Sequence, residues 1–207
     1  ESSAASDVYK RQALLPLKIA VKLEPKMTAA HFTLGKVLAA LDSHRQAIEE
    51  YKKTLAITPI FPDGYFQLGR SYVSLKMFND GVQAYKDTLR LSPNFFEAYI
   101  GIGKAYINAE KNNEAIAPLR NAIAINPNSI DAYDKLGLAY ANLGEHEKAI
   151  APYLELSRID FRNPVAQYKA GVAYSKINKK QEAIKKFEEA IRLNEIFPEA
   201  YFNIAWL

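Results

Sequence analysis

Catalysis and metal binding need side chains that can converge, and few in this chain can. It has three histidines and no cysteine, so disulfides, thiolate chemistry and cysteine-ligated zinc are excluded. His44 and His146 fall in equivalent turns three repeats apart, too distant to share a metal, and His31 sits in an apolar stripe where packing is its expected role. No Gly-rich phosphate loop, nucleophile elbow or His-Glu-x-x-His pattern occurs. Carboxylates are plentiful but scattered. The expectation is no enzyme, no cofactor and no metal site. What does recur is a row of cations. Lys36, Arg70 and Lys104 stand 34 residues apart, and the series continues as Leu138 and Val172. Four residues before them come Phe32, Phe66, Ile100, Asp134 and Tyr168. Four after come Ala40, Ser74, Asn108, Asn142 and Lys176. An offset of four keeps all three rows on one helix face.

The same spacing punctuates the whole chain. Pro25, Pro59, Pro93 and Pro127 are 34 residues apart, as are Gly35, Gly69, Gly103, Gly137 and Gly171. A fixed period of this size is the signature of stacked helical hairpins. Around each glycine, apolar residues one before (Leu34, Leu68, Ile102, Leu136, Ala170) and three after (Leu38, Tyr72, Tyr106, Tyr140, Tyr174) lie on one stripe. His31, Tyr65, Tyr99, Tyr133 and Gln167, four before, continue it. Twelve after each glycine stands a small residue (Ala47, Gly81, Ala115, Ala149, Ala183). Four further stands a large one (Tyr51, Tyr85, Leu119, Tyr153, Phe187), which marks a second helix. The periodic proline closes each unit, because a helix ends at or before the residue preceding proline. A mid-helix glycine costs about 1 kcal/mol relative to alanine, so five of them imply close approach of paired helices. Eleven of the thirteen tyrosines, all but Tyr9 and Tyr168, fall in stripe slots and are expected in hairpin cores. Pro16, Pro118 and Pro152 recur in a different slot, expected near the start of the second helix.

This pattern resembles the tetratricopeptide repeat, W-x2-L-G-x2-Y…A-x3-F…P. Tyr133, Leu136, Gly137, Tyr140, Ala149 and Tyr153 fill it in order. The likeness runs through nearly the whole chain. Phe161 and Glu195 depart from the closing proline, Gln167 and Ala170 from the fifth unit's first helix, and Gly81 from the usual alanine. The resemblance implies an all-α, right-handed superhelical solenoid of helix-turn-helix hairpins. The expected division is a partial repeat or cap at 1–27, then repeats at 28–61, 62–95, 96–129, 130–163 and 164–197, and a capping or truncated helix at 198–207. Residues 1–6 are too few and too polar for a first helix of their own. In the last helix Tyr201, Ile204 and Leu207 are expected on the stripe, while Phe202 and Trp206 lie off it. Two explanations of these ends stand: a chain cut from a longer array, which is favoured, or self-association into a homo-oligomer through open ends.

Bulk properties fit an interaction protein. The 207 residues are 49% hydrophobic, and 27 basic against 23 acidic residues give a net charge of +4. That charge does not compel binding to polyanions, and no nucleic acid is expected. No apolar run approaches the roughly 20 residues of a membrane span. A cytoplasmic setting is favoured over a periplasmic one, which would require a leader already removed from the Glu1 end.

In tetratricopeptide-like arrays the first helices line a concave groove, which the resemblance transfers to the rows above. Adjacent helices about 8–10 Å apart would make Lys36, Arg70 and Lys104 a basic ladder, with neighbour repulsion of only about 0.4 kcal/mol in water. The expected ligand is a protein or peptide segment, acidic or ending in a free carboxylate. Phe32, Phe66 and Tyr168 would supply apolar contacts, and Asn108 and Asn142 would hold the ligand backbone by donating and accepting. Ordinary solvated charge is the plainer alternative. Lys36 stands where chaperone-tail clamps place asparagine, which argues against that role. Asp63, Glu97, Asp131 and Glu199 sit at helix starts, where negative charge favours the dipole. The expected function is therefore a non-catalytic scaffold or adaptor. The alternatives are the substrate-recruiting arm of a larger enzyme and, less favoured, an RNA-binding array.

Overall fold

The computed structural model describes the backbone from Ser2 to Leu207 and side chains from Arg11 onward; the expectation for Tyr9 lies outside those side chains. Among the described residues the chain is all helix: α1 (Ser2–Leu23), α2 (Thr28–Ala40), α3 (His44–Ile57), α4 (Pro62–Ser74), α5 (Phe78–Leu91), α6 (Phe96–Asn108), α7 (Asn112–Ile125), α8 (Ile130–Asn142), α9 (His146–Ile159), α10 (Pro164–Lys176), α11 (Lys180–Leu193) and α12 (Pro198–Trp206). It forms two compact units, Glu1–Ala105 and Tyr106–Leu207, whose boundary falls inside α6. None of the described helices is long and apolar enough to cross a membrane.

Each helix stops where the sequence removes its means of continuing. α1, α3, α5 and α7 end two residues before Pro25, Pro59, Pro93 and Pro127. Pro62, Pro164 and Pro198 open α4, α10 and α12 at a position where the missing N–H has no intrahelical partner to lose. Asp63, Glu97, Asp131 and Glu199 lie in first turns, as expected. Ser129 and Asn163 add true side-chain caps, accepting from Ala132 N–H at 3.1 Å and Val165 N–H at 3.0 Å.

The tight turns inside the hairpins repeat one geometry. Asp42, Lys76, Glu110, Gly144 and Asn178, again 34 apart, all have φ between 58° and 74°. Each follows a paired closure. In the first, Asp42 N–H donates to Ala39 O at 3.1 Å and Ser43 N–H to Leu38 O at 2.8 Å. This is the left-handed helix ending that favours glycine, yet only Gly144 meets the preference.

In the first unit α1 packs on α2, α2 on α3, α3 on α4 and α4 on α5. Its core joins Leu34, Leu38, Ala47, Ile48, Tyr51, Leu55, Leu68 and Ala84. In the second unit α7 through α12 pack in sequence, around Leu119, Leu136, Tyr140, Ala149, Tyr153 and Leu156, with a further cluster of Ala183, Phe187 and Ala200. The repeat glycines are where the large residue of the second helix lies down. A Cβ on Gly35 would stand 2.5 Å from Tyr51 Cε1, closer than any real contact. Gly81 departs from alanine for the same reason: its Cβ would lie 2.6 Å from Val73 Cγ2 and 3.2 Å from the carbonyl of Gly69.

Three details differ from the sequence-based expectations. Residues 2–6 extend α1, since a helix once nucleated gains one hydrogen bond per added residue. Pro118 and Pro152 lie at the seventh residue of α7 and α9, in the helix interior and not the first turn. Tyr201 is 52% exposed although it holds a stripe slot. Ile204 and Leu207 do reach the Phe187 cluster, but the described chain provides no partner helix beyond α12 to cover Tyr201.

Candidate functional site

The row of cations resolves into a local site in the first unit. Where α2, α3 and α4 meet, a cavity of about 270 Å³ is lined by Lys36 and Ala40 from α2, His44 and Tyr51 from α3, and Gln67, Arg70, Ser71 and Ser74 from α4. Lys36 and Arg70 are exposed. Among the described residues neither has a carboxylate partner. Lys36 Nζ lies 5.6 Å from the centre of the Phe32 ring, and Arg70 donates only to Gln67 Oε1, at 3.3 Å. Lys104 is half-buried and does not line this cavity. Two of the three ladder residues thus share one site.

Two buried polar atoms at this cavity lack partners: the Tyr51 hydroxyl and His44 Nδ1. Tyr51 is 0% exposed. Burial pushes its hydroxyl up to about 12, while the nearby Arg70 charge pulls the other way. His44 Nε2 stands 3.2 Å from Asp42 Oδ1, which fixes the ring with its other nitrogen unpaired. His44 was expected only as a turn residue, and Tyr51 only as core. No sequence signal marks either for the cavity beyond Tyr51 following Gly35 by one repeat-standard interval.

The aromatic row does different work from that expected. Phe32 packs edge-on against Phe61 at 4.8 Å and tilted against Tyr51 at 6.0 Å. Phe66 meets Tyr85 at 5.6 Å and Phe95 at 4.9 Å. In the second unit Tyr168 meets Phe187 at 5.6 Å and Phe197 at 5.1 Å, and its hydroxyl accepts from Asn203 at 3.2 Å. These rings sit between their own hairpin and the loop that follows. Sequence reasoning missed the loop phenylalanines, although Phe61 and Phe95 are themselves 34 residues apart and Phe197 keeps the register. Asn108 is exposed, and Asn142 donates to Asn112 Oδ1 at 2.9 Å.

Two half-buried carboxylates are matched by neighbouring cations. Asp134 accepts from Lys135 at 2.9 Å and from Lys169. Burial alone would raise its pKa, but the hydrogen bonds and charges of the two lysines outweigh that and hold it below the ordinary aspartate value. His31, expected to pack, is buried but also bridges: Nε2 donates to Pro25 O at 3.1 Å, and Nδ1 meets Glu50 Oε2 at 2.6 Å. Glu50 likewise stays below the usual glutamate range, with hydrogen bonds from Lys53 and His31 overcoming the burial that would raise it. No group of three or more potential metal ligands occurs among the described residues.

Hairpins of this length, with glycine under an aromatic ring and an aromatic or proline closing each link, define a helical-repeat interaction fold. Family profiles described as TPR repeat and tetratricopeptide repeat match residues 103–144 and residues 62–95, 130–163 and 165–197, well over half the chain. The chain belongs to the tetratricopeptide repeat family, a tandem array that forms a protein-interaction scaffold. The hairpin of α2 and α3 lies outside those matches; His31 and Leu38 replace the aromatic residues of its stripe. No curated protein matches the chain in sequence. Among solved structures it is similar to MamA protein, at 32% identity over 81% of this chain and 92% of that one, with a TM-score of 0.77. It shares its fold with MamA from residue 41 to the end from Desulfovibrio magneticus RS-1, at 20% identity over 81% and 95% of the two chains, TM-score 0.75. It also shares it with YrrB, described as a TPR protein with an unusual peptide-binding site, at 20% identity over 90% and 96%, TM-score 0.76.

Proposed function

We propose that this chain is a non-catalytic adaptor whose first unit binds an acidic segment of a partner protein on the face bearing Lys36 and Arg70. The observation that carries the reading is two cations on neighbouring first helices with no carboxylate to balance them, in a fold that otherwise pairs its buried charges. Exposed ion pairs contribute only about 0–1 kcal/mol each, so affinity also draws on desolvation within the cavity. Lys104, in the same unit, is a third cation of the row. YrrB, which shares the fold, is described as binding peptide, and this supports a peptide-like ligand.

The test is fluorescence polarisation with a dye-labelled peptide of alternating glycine and glutamate, beside its glutamine counterpart. The glutamate peptide is expected to bind more tightly, to weaken with salt, and to lose affinity in a Lys36/Arg70/Lys104→Ala variant. Equal binding of the two peptides, or no loss in the variant, overturns the reading. A second contact surface is offered by α12, where Phe202 and Trp206 are 67% and 84% exposed and stack on each other. Light scattering of the parent against Trp206→Ser tests whether that pair draws in a second copy.

A further inference from the structure

We infer that the cavity between α2, α3 and α4 is a site for a phosphoryl dianion, so that the segment bound by the first unit carries a phosphorylated side chain. This rests on the reading above but names a ligand chemistry that a row of surface cations alone would not. Three observations narrow it. The lining holds two positive side chains and no carboxylate, so a dianion neutralises the site where a single carboxylate leaves half its charge unmatched. Tyr51 lines the cavity, and its hydroxyl is fully buried with no partner. A buried donor without an acceptor is costly, and an anionic oxygen is the acceptor it lacks. His44 contributes a second unpartnered buried atom, Nδ1, while its Nε2 stands 3.2 Å from Asp42 Oδ1.

The donors outnumber what a carboxylate can use. Arg70 offers a planar fork, of which one N–H goes to Gln67. Lys36 offers three N–H groups and Tyr51 one hydroxyl, and Ser74 adds another at the rim. Three terminal phosphoryl oxygens can accept from all of these, whereas two carboxylate oxygens cannot surround themselves with donors in three dimensions. The volume of about 270 Å³ admits a phosphoryl group together with the first atoms of the side chain bearing it.

The experiment titrates the intact chain with phenyl phosphate, benzoate and inorganic phosphate at matched ionic strength. It follows heat and the ring signals of His44 by NMR. Phenyl phosphate is expected to bind about tenfold or more tightly than benzoate and to move the His44 signals. Lys36→Ala, Arg70→Ala and Tyr51→Phe should each weaken it, the first two more than the last. Weaker binding of inorganic phosphate than of phenyl phosphate supports a phosphorylated side chain as the source. Equal binding assigns the same dianion site to the free ion and overturns the side-chain assignment. Benzoate binding as tightly as phenyl phosphate, silent His44 signals, or unchanged affinity in Tyr51→Phe and Lys36→Ala overturns the dianion site itself. If phenyl phosphate fails while the glutamate peptide binds, this inference falls and the adaptor reading stands. If phenyl phosphate binds and no peptide does, the dianion site stands and the reading of a bound acidic segment falls.

Discussion

In the first unit the residue after the repeat glycine is Lys36 in α2 and Arg70 in α4; in the second it is Leu138 in α8 and Val172 in α10. The second unit carries its cations two residues before the glycine, as Lys135 and Lys169, and both are tied to Asp134. The tyrosines beneath follow suit. Tyr51 feels Arg70, whereas Tyr153 is raised by burial and then further by the Asp134 charge, with Lys169 Nζ 5.9 Å from its ring centre. One hairpin geometry therefore supports two electrostatic states. Lys135 and Lys169 are cancelled by Asp134 within their own unit, whereas Lys36 and Arg70 stand without a carboxylate beside a buried, unmatched hydroxyl. Counting lysines along a helix face does not separate these cases, because the anion that cancels them is one residue or one helix away.

The largest expected effect removes what the units share. Gly35→Leu and Gly171→Leu drive a side chain into Tyr51 and Phe187, both 0% exposed, and each should lower unfolding free energy by about 3 kcal/mol in urea titrations. A loss in one unit alone would break the common-scaffold half of the comparison. Next comes Asp134→Asn, which strands Lys135 and Lys169 and should destabilise by about 1–3 kcal/mol.

The same carboxylate sets a pH dependence. Its folded pKa is lowered, so the unfolded chain takes up a proton first as pH falls. Its contribution is whole above the ordinary aspartate value and drains away as pH drops through the lowered one. Glu50 behaves alike. An Asp134→Asn/Glu50→Gln double variant should flatten the acid limb of a stability–pH profile, and an unchanged limb would contradict both assignments.

Tyr51→Phe should instead stabilise the ligand-free chain by about 1 kcal/mol, because it deletes a buried hydroxyl that has no acceptor. A thermal melt showing destabilisation would mean that this hydroxyl is satisfied. The smallest effect tests the turns of each unit. Lys76→Gly should gain, and Gly144→Ala lose, up to about 1 kcal/mol, since both positions hold a left-handed backbone with φ of 60° and 74°.

The hairpins were readable because their causes are local. A proline two residues past a helix, a glycine under a ring and an apolar stripe at helical spacing each act within one repeat. The left-handed turns were less legible, since Asp42, Lys76 and Glu110 occupy them without the glycine that usually announces them. The rings at Phe32, Phe66 and Tyr168 looked available because they lie off the stripe. They are engaged by Phe61, Phe95 and Phe197, which belong to loops that a helix-face argument leaves out.

Periodicity alone determined that this chain folds as repeated helix pairs and placed its cations on first helices. A 34-residue register fixes which residues face a neighbour whatever that neighbour is. Only the tertiary structure decided which cations stay unbalanced. Electrostatic pairing and burial depend on distances across helices, so Asp134 could silence Lys169 and α3 could bring Tyr51 and His44 beneath Lys36 and Arg70.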